Sequence, residues 1–183
     1  MDPDFLDHLD RPVERPTHPA SLEAEELLKN CSIVRGRSSG PGGQHRNKVL
    51  THITLTHDPT GTEAQAGERR LAKENQRVAV GRLRLKLALE VRVAVPAGEI
   101  RSELWKSRCR KNRITCSPAH RDFPSMLAEA LDVIDACGYD MPTAATRLEC
   151  SSTQLLRLIA EHPPALVMLN KARQDRAMRP LKP

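Results

Sequence analysis

Residues 49–66 read VLTHITLTHDPTGTEAQA and carry the clearest secondary-structure pattern in the chain. Apolar and polar side chains alternate along residues 49–57, which is the period of a half-buried β-strand. Asp58-Pro59-Thr60-Gly61 follows and has the composition of a tight turn. A return strand over residues 62–66 completes a predicted antiparallel hairpin. One face of the first strand carries Val49, Thr51, Ile53 and Leu55.

A long helix is predicted after the hairpin, over residues 68–91. Apolar residues form one stripe on this helix, and charged residues project from the far side. The stripe consists of Leu71, Val78, Leu85 and Leu89, and it is flanked by Ala72, Ala79 and Leu83. The charged set consists of Arg70, Lys73, Glu74, Arg77 and Arg84.

Upstream of the hairpin, the sequence predicts a short helix over residues 21–30, with Ser21 as its N-cap, and a strand over residues 31–37. Residues 20–95 are therefore expected to form one domain, in which a small antiparallel sheet packs on one long helix. The proline-rich and acidic residues 1–19 are expected to form a mobile arm.

The C-terminal third of the chain is predicted to be helical. Residues 96–121 have little periodicity and are interpreted as a basic linker. Residues 122–183 are expected to form a small all-α domain. Apolar spacing in it predicts helices at residues 124–138, 142–148 and 152–161, and a last one from Pro163-Pro164 to about Met178. The middle two resemble a helix-turn-helix, but an ordinary small helical bundle explains the pattern at least as well. The fold class is α+β.

The charge is unevenly distributed along the 183 residues. The formal net charge is +6, and residues 101–121 carry 7 basic residues against 1 acidic residue. Residues 1–30 and 122–183 are both net acidic. A polyanion is the natural partner of a basic block of this kind, although such a block can also be a solvated surface.

The composition excludes several classes of protein. No segment approaches the roughly 20 apolar residues that span a bilayer, so we expect a cytoplasmic protein without membrane contact. Five widely spaced cysteines without a Cys-x-x-Cys pair predict reduced thiols, with no disulfide framework and no metal site. The aromatic residues are too few for base stacking on aromatic platforms, and they are Phe5, Trp105, Phe123 and Tyr139.

Residues 37–48 read RSSGPGGQHRNK and carry the strongest functional signal. Three glycines in four residues allow positive φ and a close approach of the backbone to a ligand. The segment lacks the Gly-x-x-x-x-Gly-Lys-Ser/Thr spacing of a phosphate loop and precedes a strand, so nucleoside triphosphate binding is disfavoured.

This segment resembles the signature of class I peptide chain release factors. Every fixed position of that signature is matched over residues 37–47. The likeness continues through residues 51–55, His57, Pro59-Thr60-Gly61 and Asn75-Gln76-Arg77, and covers about residues 31–92. The departures from the family pattern are Arg46, Thr62 and Ala72-Lys73.

The resemblance implies hydrolysis of the ester that joins a nascent peptide to P-site tRNA. It assigns catalysis to Gly42, Gly43 and Gln44, where the backbone N–H of Gln44 would stabilise the oxyanion and its side chain would position water. No cofactor and no metal are expected. His45 is expected to have a structural or RNA-contacting role and not to act as a general base.

We expect a monomer that binds the large ribosomal subunit through its rRNA, together with P-site peptidyl-tRNA, and that binds no DNA. The chain is similar to the short, codon-independent relatives that rescue stalled ribosomes. The predicted RNA-binding residues are Arg35, Arg37, Ser38, Ser39, His45, Arg46, Asn47, Lys48, Lys106, Arg108, Arg110, Lys111 and Arg113.

Two alternatives stay open. The chain could be a non-catalytic RNA-binding or ribosome-associated protein that uses residues 37–48 as a contact surface. Residues 122–183 could also be a DNA-binding helix-turn-helix. Their net charge of −1 argues against this second alternative, because phosphate contacts need local Lys and Arg.

Overall fold

A computed structural model describes residues 16–37 and 49–182 of the chain. The predicted α+β class is confirmed, because a small antiparallel sheet occurs together with several helices. The strands are β1 Cys31–Gly36, β2 His52–His57, β3 Thr62–Ala66, β4 Cys109–Arg110 and β5 Arg113–Ile114. The helices are α1 Ala24–Lys29, α2 Ala72–Glu90, α3 Glu103–Arg108, α4 Phe123–Ala136, α5 Met141–Arg147, α6 Ser152–Ala160 and α7 Pro163–Gln174.

Strands β1, β2 and β3 form a three-stranded antiparallel sheet in sequence order. The predicted hairpin is present, and its turn places Gly61 at a φ of 69°. Strand β2 starts three residues later than predicted. Ile53 and Leu55 point into the core as the alternation indicated, whereas Val49 is 44% exposed because it precedes the strand.

Helix α2 packs against β2 and β3 on one side and against α4 on another. The observed core face of α2 is rotated from the predicted stripe: Val78, Leu85 and Leu89 are half-buried, whereas the flanking residues Ala79 and Leu83 are fully buried. Leu71 lies before the first turn and is 61% exposed, and the most buried positions follow a four-residue spacing instead. The buried residues of α2 are Asn75, Ala79, Val80, Leu83, Leu87 and Ala88. The buried face differs from the predicted stripe because the sheet covers α2 on one side and α4 covers it on another. A single stripe therefore does not define the core face of α2.

Two predictions near the N-terminus need correction. Helix α1 begins at Ala24, and Glu23 occupies the N-cap position without a side-chain cap, so the prediction of Ser21 as N-cap is wrong. Ser21 instead ends a short 3-10 turn at Pro19–Ser21, which is capped by the His18 side chain. Leu22 and Glu23 have extended backbone after this turn, so the turn and α1 are separate elements.

Helix α4 is the centre of the core. All residues from Phe123 to Ile134 are buried, and the helix contacts α2, α5, α6 and the 3-10 turn. Helices α5 and α6 lie close to their predicted positions, and Ala145, Leu148, Leu155 and Ile159 are buried between them and α4. Helix α7 ends at Gln174, a few residues earlier than predicted.

The segment predicted as a linker contains regular structure. Helix α3 places Trp105 in the core, where its indole N–H donates to the Leu148 carbonyl over 2.9 Å. Strands β4 and β5 follow as a short hairpin. The division of the chain into separate domains stays a prediction, but buried residues from both predicted domains belong to one hydrophobic cluster.

Of the helices that the structure describes, none combines the length and the apolar character needed to cross a bilayer. The five cysteines are free thiols, and only Cys150 is fully buried.

The helical pattern predicted that Arg84 projects from the charged side of α2. In the structure, Arg84 is instead a structural residue whose guanidinium is hydrogen-bonded within the protein. Its guanidinium donates to the Ala20 carbonyl over 2.8 Å, to the Arg121 carbonyl over 3.0 Å and to the Ser125 hydroxyl over 3.0 Å. Arg84 therefore fastens α2 to the 3-10 turn and to the start of α4.

We expect Arg84→Ala to lower the free energy of unfolding by about 2 to 3 kcal/mol, because it removes charged hydrogen bonds and leaves acceptors unpaired. The matched control is Arg77→Ala on an exposed position of the same helix, for which a change within about 0.5 kcal/mol is expected. Urea unfolding of both variants measures the difference. Equal losses would show that Arg84 is not a structural anchor.

Candidate functional site

The predicted catalytic residues Gly42, Gly43 and Gln44 lie outside the described residues. The same holds for six of the predicted RNA-binding residues, which are Ser38, Ser39, His45, Arg46, Asn47 and Lys48. The structure does describe the two flanks of this segment, and these flanks form the base of the candidate site.

The flanks are held side by side by the sheet. Strand β1 ends at Gly36, which pairs with His52 at the start of β2, so residues 37 and 51 lie at the same end of the sheet. Arg35 and Arg37 are both exposed there, as expected for residues that bind RNA. The antiparallel pairing therefore fixes where residues 38–48 leave the sheet and where they return.

Asn75 anchors the returning flank. Its side-chain amide is fully buried and donates to the Thr51 carbonyl over 2.6 Å and to the Arg69 carbonyl over 3.0 Å. Its carbonyl oxygen accepts from the Arg69 N–H over 2.8 Å. One side chain of α2 thus joins the start of β2 to the segment that connects β3 with α2. Asn75 lies in the matched stretch Asn75-Gln76-Arg77, but no local sequence pattern indicates this anchoring role.

An ion pair stiffens the same connecting segment. Arg82 contacts the Glu68 carboxylate over 2.6 Å and donates to the Gln65 carbonyl over 2.7 Å. Backbone N–H groups of Glu68 and Gly67 hydrogen-bond the Glu68 carboxylate, and with Arg82 they lower its pKa below the usual range. The pair is half exposed, so its main effect is to restrict the direction in which the chain enters α2.

The opposite end of the hairpin is fastened by a chain of hydrogen bonds. His57 contacts the Thr60 hydroxyl over 2.8 Å, Thr60 donates to Thr62 over 3.1 Å, and Thr62 donates to the Glu90 carboxylate over 2.8 Å. This chain ties the Pro59-Thr60-Gly61 turn to the last turn of α2. Both ends of the β2–β3 hairpin are therefore fixed to the same helix.

The five predicted cations of the basic segment occupy two different environments. Arg108 donates to Asp122 over 2.6 Å, and Lys106 pairs with Glu103 over 3.0 Å. Arg110, Lys111 and Arg113 are exposed on the β4–β5 hairpin, and none of them forms an ion pair within the described residues. The expectation that this segment lacks rigid packing is wrong for Arg108, because Asp122 and His120 hold its guanidinium.

The model of the RF-1 domain family matches residues 25–119. That span is more than half of the chain and contains both flanks of the Gly-Gly-Gln segment. The chain belongs to the RF-1 domain family. This confirms the resemblance found in the sequence, and it extends the likeness from residue 92 to residue 119, so that the RF-1 domain match includes α3 and the β4–β5 hairpin.

Curated relatives agree with this assignment. The chain is 47% identical over 73 residues to peptide chain release factor 2 of Acidovorax sp. (strain JS42) and of Acidovorax ebreus. It is 41% identical over 69 residues to peptide chain release factor 1 of Malacoplasma penetrans. The first two matches cover 38% of this chain and 20% of each relative. The third covers 36% of this chain and 19% of the relative. The matched region therefore spans about a fifth of the length of these relatives.

The described ranges of this RF-1 domain protein contain no group of three or more His, Cys, Asp or Glu side chains placed to hold a metal ion. The described part of the site exposes the guanidinium groups of Arg35 and Arg37, whereas the Asn75 amide is buried and fully hydrogen-bonded within the protein.

Asn75→Asp tests whether the amide anchors the site. A carboxylate at this position cannot donate to the Thr51 and Arg69 carbonyls, so we expect the free energy of unfolding to fall by about 2 to 4 kcal/mol at neutral pH. Gln76→Glu, the same change at the neighbouring and more exposed position, should cost much less. Chemical denaturation of both variants measures the loss. A loss as small as that of the control would rule out the anchoring role.

The lowered pKa of His57 predicts that the stability of the protein depends on pH. Burial lowers the pKa of His57 below its usual value, and the Asp58 charge opposes part of this shift. The folded state then binds fewer protons than the unfolded state, so this contribution to stability is present above about pH 6.5 and is lost as the pH falls. We expect His57→Gln to flatten the change in unfolding midpoint between about pH 7.5 and pH 5.5. His52→Gln, on the other face of β2, is the control, and an equal flattening by it would contradict the prediction.

Proposed function

We propose that the protein hydrolyses the ester of peptidyl-tRNA on the ribosome. The observation that carries this proposal is the RF-1 domain match across residues 25–119, which contains Gly42-Gly43-Gln44 within a matched signature. The geometry of the flanks supports it. Gly36 and His52 are paired, and Asn75 holds Thr51, so the catalytic segment is presented from a rigid end of the sheet.

In the proposed reaction, the oxygen of a water molecule attacks the ester carbonyl carbon and forms a tetrahedral oxyanion. The bond from that carbon to the tRNA ribose oxygen then breaks. A proton given up by the attacking water goes to the ribose oxygen, so that the tRNA leaves as the alcohol and the peptide is released as the acid. The Gln44 backbone N–H would stabilise the oxyanion, and its side chain would orient the water. Gly42 and Gly43 would allow the backbone to approach the ester closely.

The proposed binding partners are large-subunit rRNA and P-site peptidyl-tRNA. Arg35 and Arg37 are exposed beside the catalytic segment and would contact RNA phosphates, together with the predicted RNA-binding residues of that segment. Arg69 is a further candidate, because its backbone is held by Asn75 at the same end of the sheet and its side chain is exposed. Lys106 and Arg108 are paired with carboxylates, so we expect a smaller share of RNA binding from them.

We further propose that release is independent of a stop codon, as in ribosome rescue. The experiment is a single-turnover assay on ribosomes that carry peptidyl-tRNA in the P site. Three conditions are compared: an A site with a stop codon, an A site with a sense codon, and an A site without mRNA. Comparable release in all three conditions supports a codon-independent activity, and release only at the stop codon contradicts it.

Gly43→Ala is expected to slow peptide release by about a hundredfold to a thousandfold, because it disturbs the donor that faces the oxyanion. Gly98→Ala is the matched control. A Cβ atom at Gly98 would meet no atom within 4 Å, so release should be unchanged. Thermal unfolding and ribosome binding are measured on both variants.

Two outcomes would reject the hydrolase proposal. If the unaltered protein binds ribosomes without releasing peptide, the chain is the non-catalytic binding protein of the alternative interpretation. If Gly43→Ala loses stability in proportion to activity, the glycine has a structural role and catalysis must be assigned elsewhere.

A further inference from the structure

The β4–β5 hairpin carries an unusual concentration of positive charge. Arg110 and Arg113 are directly opposite each other in the two strands, and Lys111 lies in the turn between them. Like charges at directly opposite positions destabilise a pair of strands. The side chains are exposed, and no carboxylate in the described part of the chain pairs with them.

The turn of this hairpin has two central residues, Lys111 and Asn112, and both have positive φ. Lys111 and Asn112 have φ values of 50° and 61°, and a lysine rarely adopts this left-handed region. Positive φ at both central residues is the type I′ geometry that two-residue hairpins favour, so Asn112 suits the turn and Lys111 is the unusual residue in it.

The surroundings that hold the hairpin are α6 and the turn before it. The Asn112 carbonyl accepts from the Ser151 N–H over 3.4 Å, and the Ile114 N–H donates to the Gln154 side chain over 3.3 Å. Asn112 and Cys150 also form an isolated parallel bridge. The hairpin is therefore attached to the turn between α5 and α6 and to the first turn of α6.

This attachment changes the electrostatics of the helix pair α5–α6. Residues 122–183 carry a net charge of −1 by themselves, which argues against phosphate binding. The hairpin adds three unpaired cations beside the first turn of α6, where Ser152 and Thr153 present exposed hydroxyl groups. Hydroxyl groups and cations at a helix start are the groups that commonly contact nucleic-acid phosphates.

We propose that the β4–β5 hairpin and the first turn of α6 form one surface that binds the phosphate backbone of an RNA duplex. A phosphate seated between Arg110 and Arg113 relieves the repulsion between them. A duplex is favoured over a single strand because aromatic platforms are the usual means of holding single strands. Among the described aromatic residues, Trp105 and Phe123 are buried, and the Arg176 guanidinium lies over the Tyr139 ring at 4.1 Å. The inference rests on the proposed function only in the choice of RNA as the polyanion.

The first test is the triple variant Arg110→Gln, Lys111→Gln and Arg113→Gln in the full chain. The probe is a short RNA duplex of mixed sequence, and its affinity is measured over a range of salt concentrations. The slope of log affinity against log salt should decrease in magnitude by about one for each phosphate contact removed. The control removes the same charge at Lys171, Arg176 and Arg179, which are exposed near the C-terminus. Equal losses in both variants would overturn the proposal.

The triple variant should also unfold at a higher temperature than the unaltered protein, because it removes the cross-strand repulsion. Weaker RNA binding in a more stable protein distinguishes a binding surface from a structural element. A lower unfolding temperature would contradict the argument from repulsion.

The second test is Ser152→Glu, which places a negative charge in the first turn of α6. A carboxylate there stabilises the helix, so a loss of binding cannot come from unfolding. Val167→Glu is the control, since Val167 is 69% exposed on α7. If the two variants lose the same affinity, α6 is not part of the surface. Equal, hairpin-dependent affinity for a single strand or for polyglutamate would overturn the choice of duplex RNA.

These measurements use no ribosomes and no peptide release. If Gly43→Ala and the unaltered protein both fail to release peptide while duplex binding depends on the hairpin, the proposed function fails alone. If release is intact and the triple variant binds the duplex normally, the further inference fails alone.

Discussion

Helix α4 has no solvent-facing side between Phe123 and Ile134, and this burial constrains the rest of the chain. Polar side chains on a buried helix need hydrogen-bond partners, since an unpaired buried group is costly. Ser125 accepts from Arg84 over 3.0 Å, and Glu129 accepts from the Ser102 N–H over 2.8 Å. Asp132 accepts from the Val93 N–H over 3.1 Å. The partners belong to α2, to the N-cap of α3 and to the segment after α2. Each polar residue of α4 therefore fixes the position of a different part of the chain.

The candidate site depends on this arrangement through α2. Because α2 is covered by α4 on one side and by the sheet on the other, its rotation about its own axis is set by two interfaces. That rotation turns Asn75 inward, where it reaches both Thr51 and Arg69. The helix that supports the sheet thus also holds the flanks of the segment that contains Gly42-Gly43-Gln44, because the buried Asn75 amide joins α2 to Thr51.

The distribution of ion pairs separates two kinds of basic residue. Arg101 and Lys106 lie among the carboxylates of Glu99, Glu103 and Glu149, which neutralise them and fix α3 against its neighbours. Hydrogen bonds from Arg101 lower the pKa of Glu99 to about 2, so the Glu99 carboxylate stays ionised. Its negative charge offsets the positive charge of Arg101. The cations of the β4–β5 hairpin have no such partners among the described residues. The positive charge that is not neutralised therefore lies on the β4–β5 hairpin, which is a smaller surface than the whole of residues 101–121.

The sequence alone determined the features that depend on neighbouring residues. Alternation predicted β2 and its turn, local patterns predicted the helices other than α3 near their observed positions, and the matched signature around Gly42-Gly43-Gln44 predicted the family. Local patterns carry this information because strand period, turn geometry and motif spacing are properties of short segments. Only the tertiary structure decided which face of α2 is buried, that Arg84 is a structural residue, that Asn75 holds Thr51, and that the basic hairpin belongs with α6. These features depend on contacts between residues far apart in sequence, and the periodicity of one helix cannot report how many neighbours cover it.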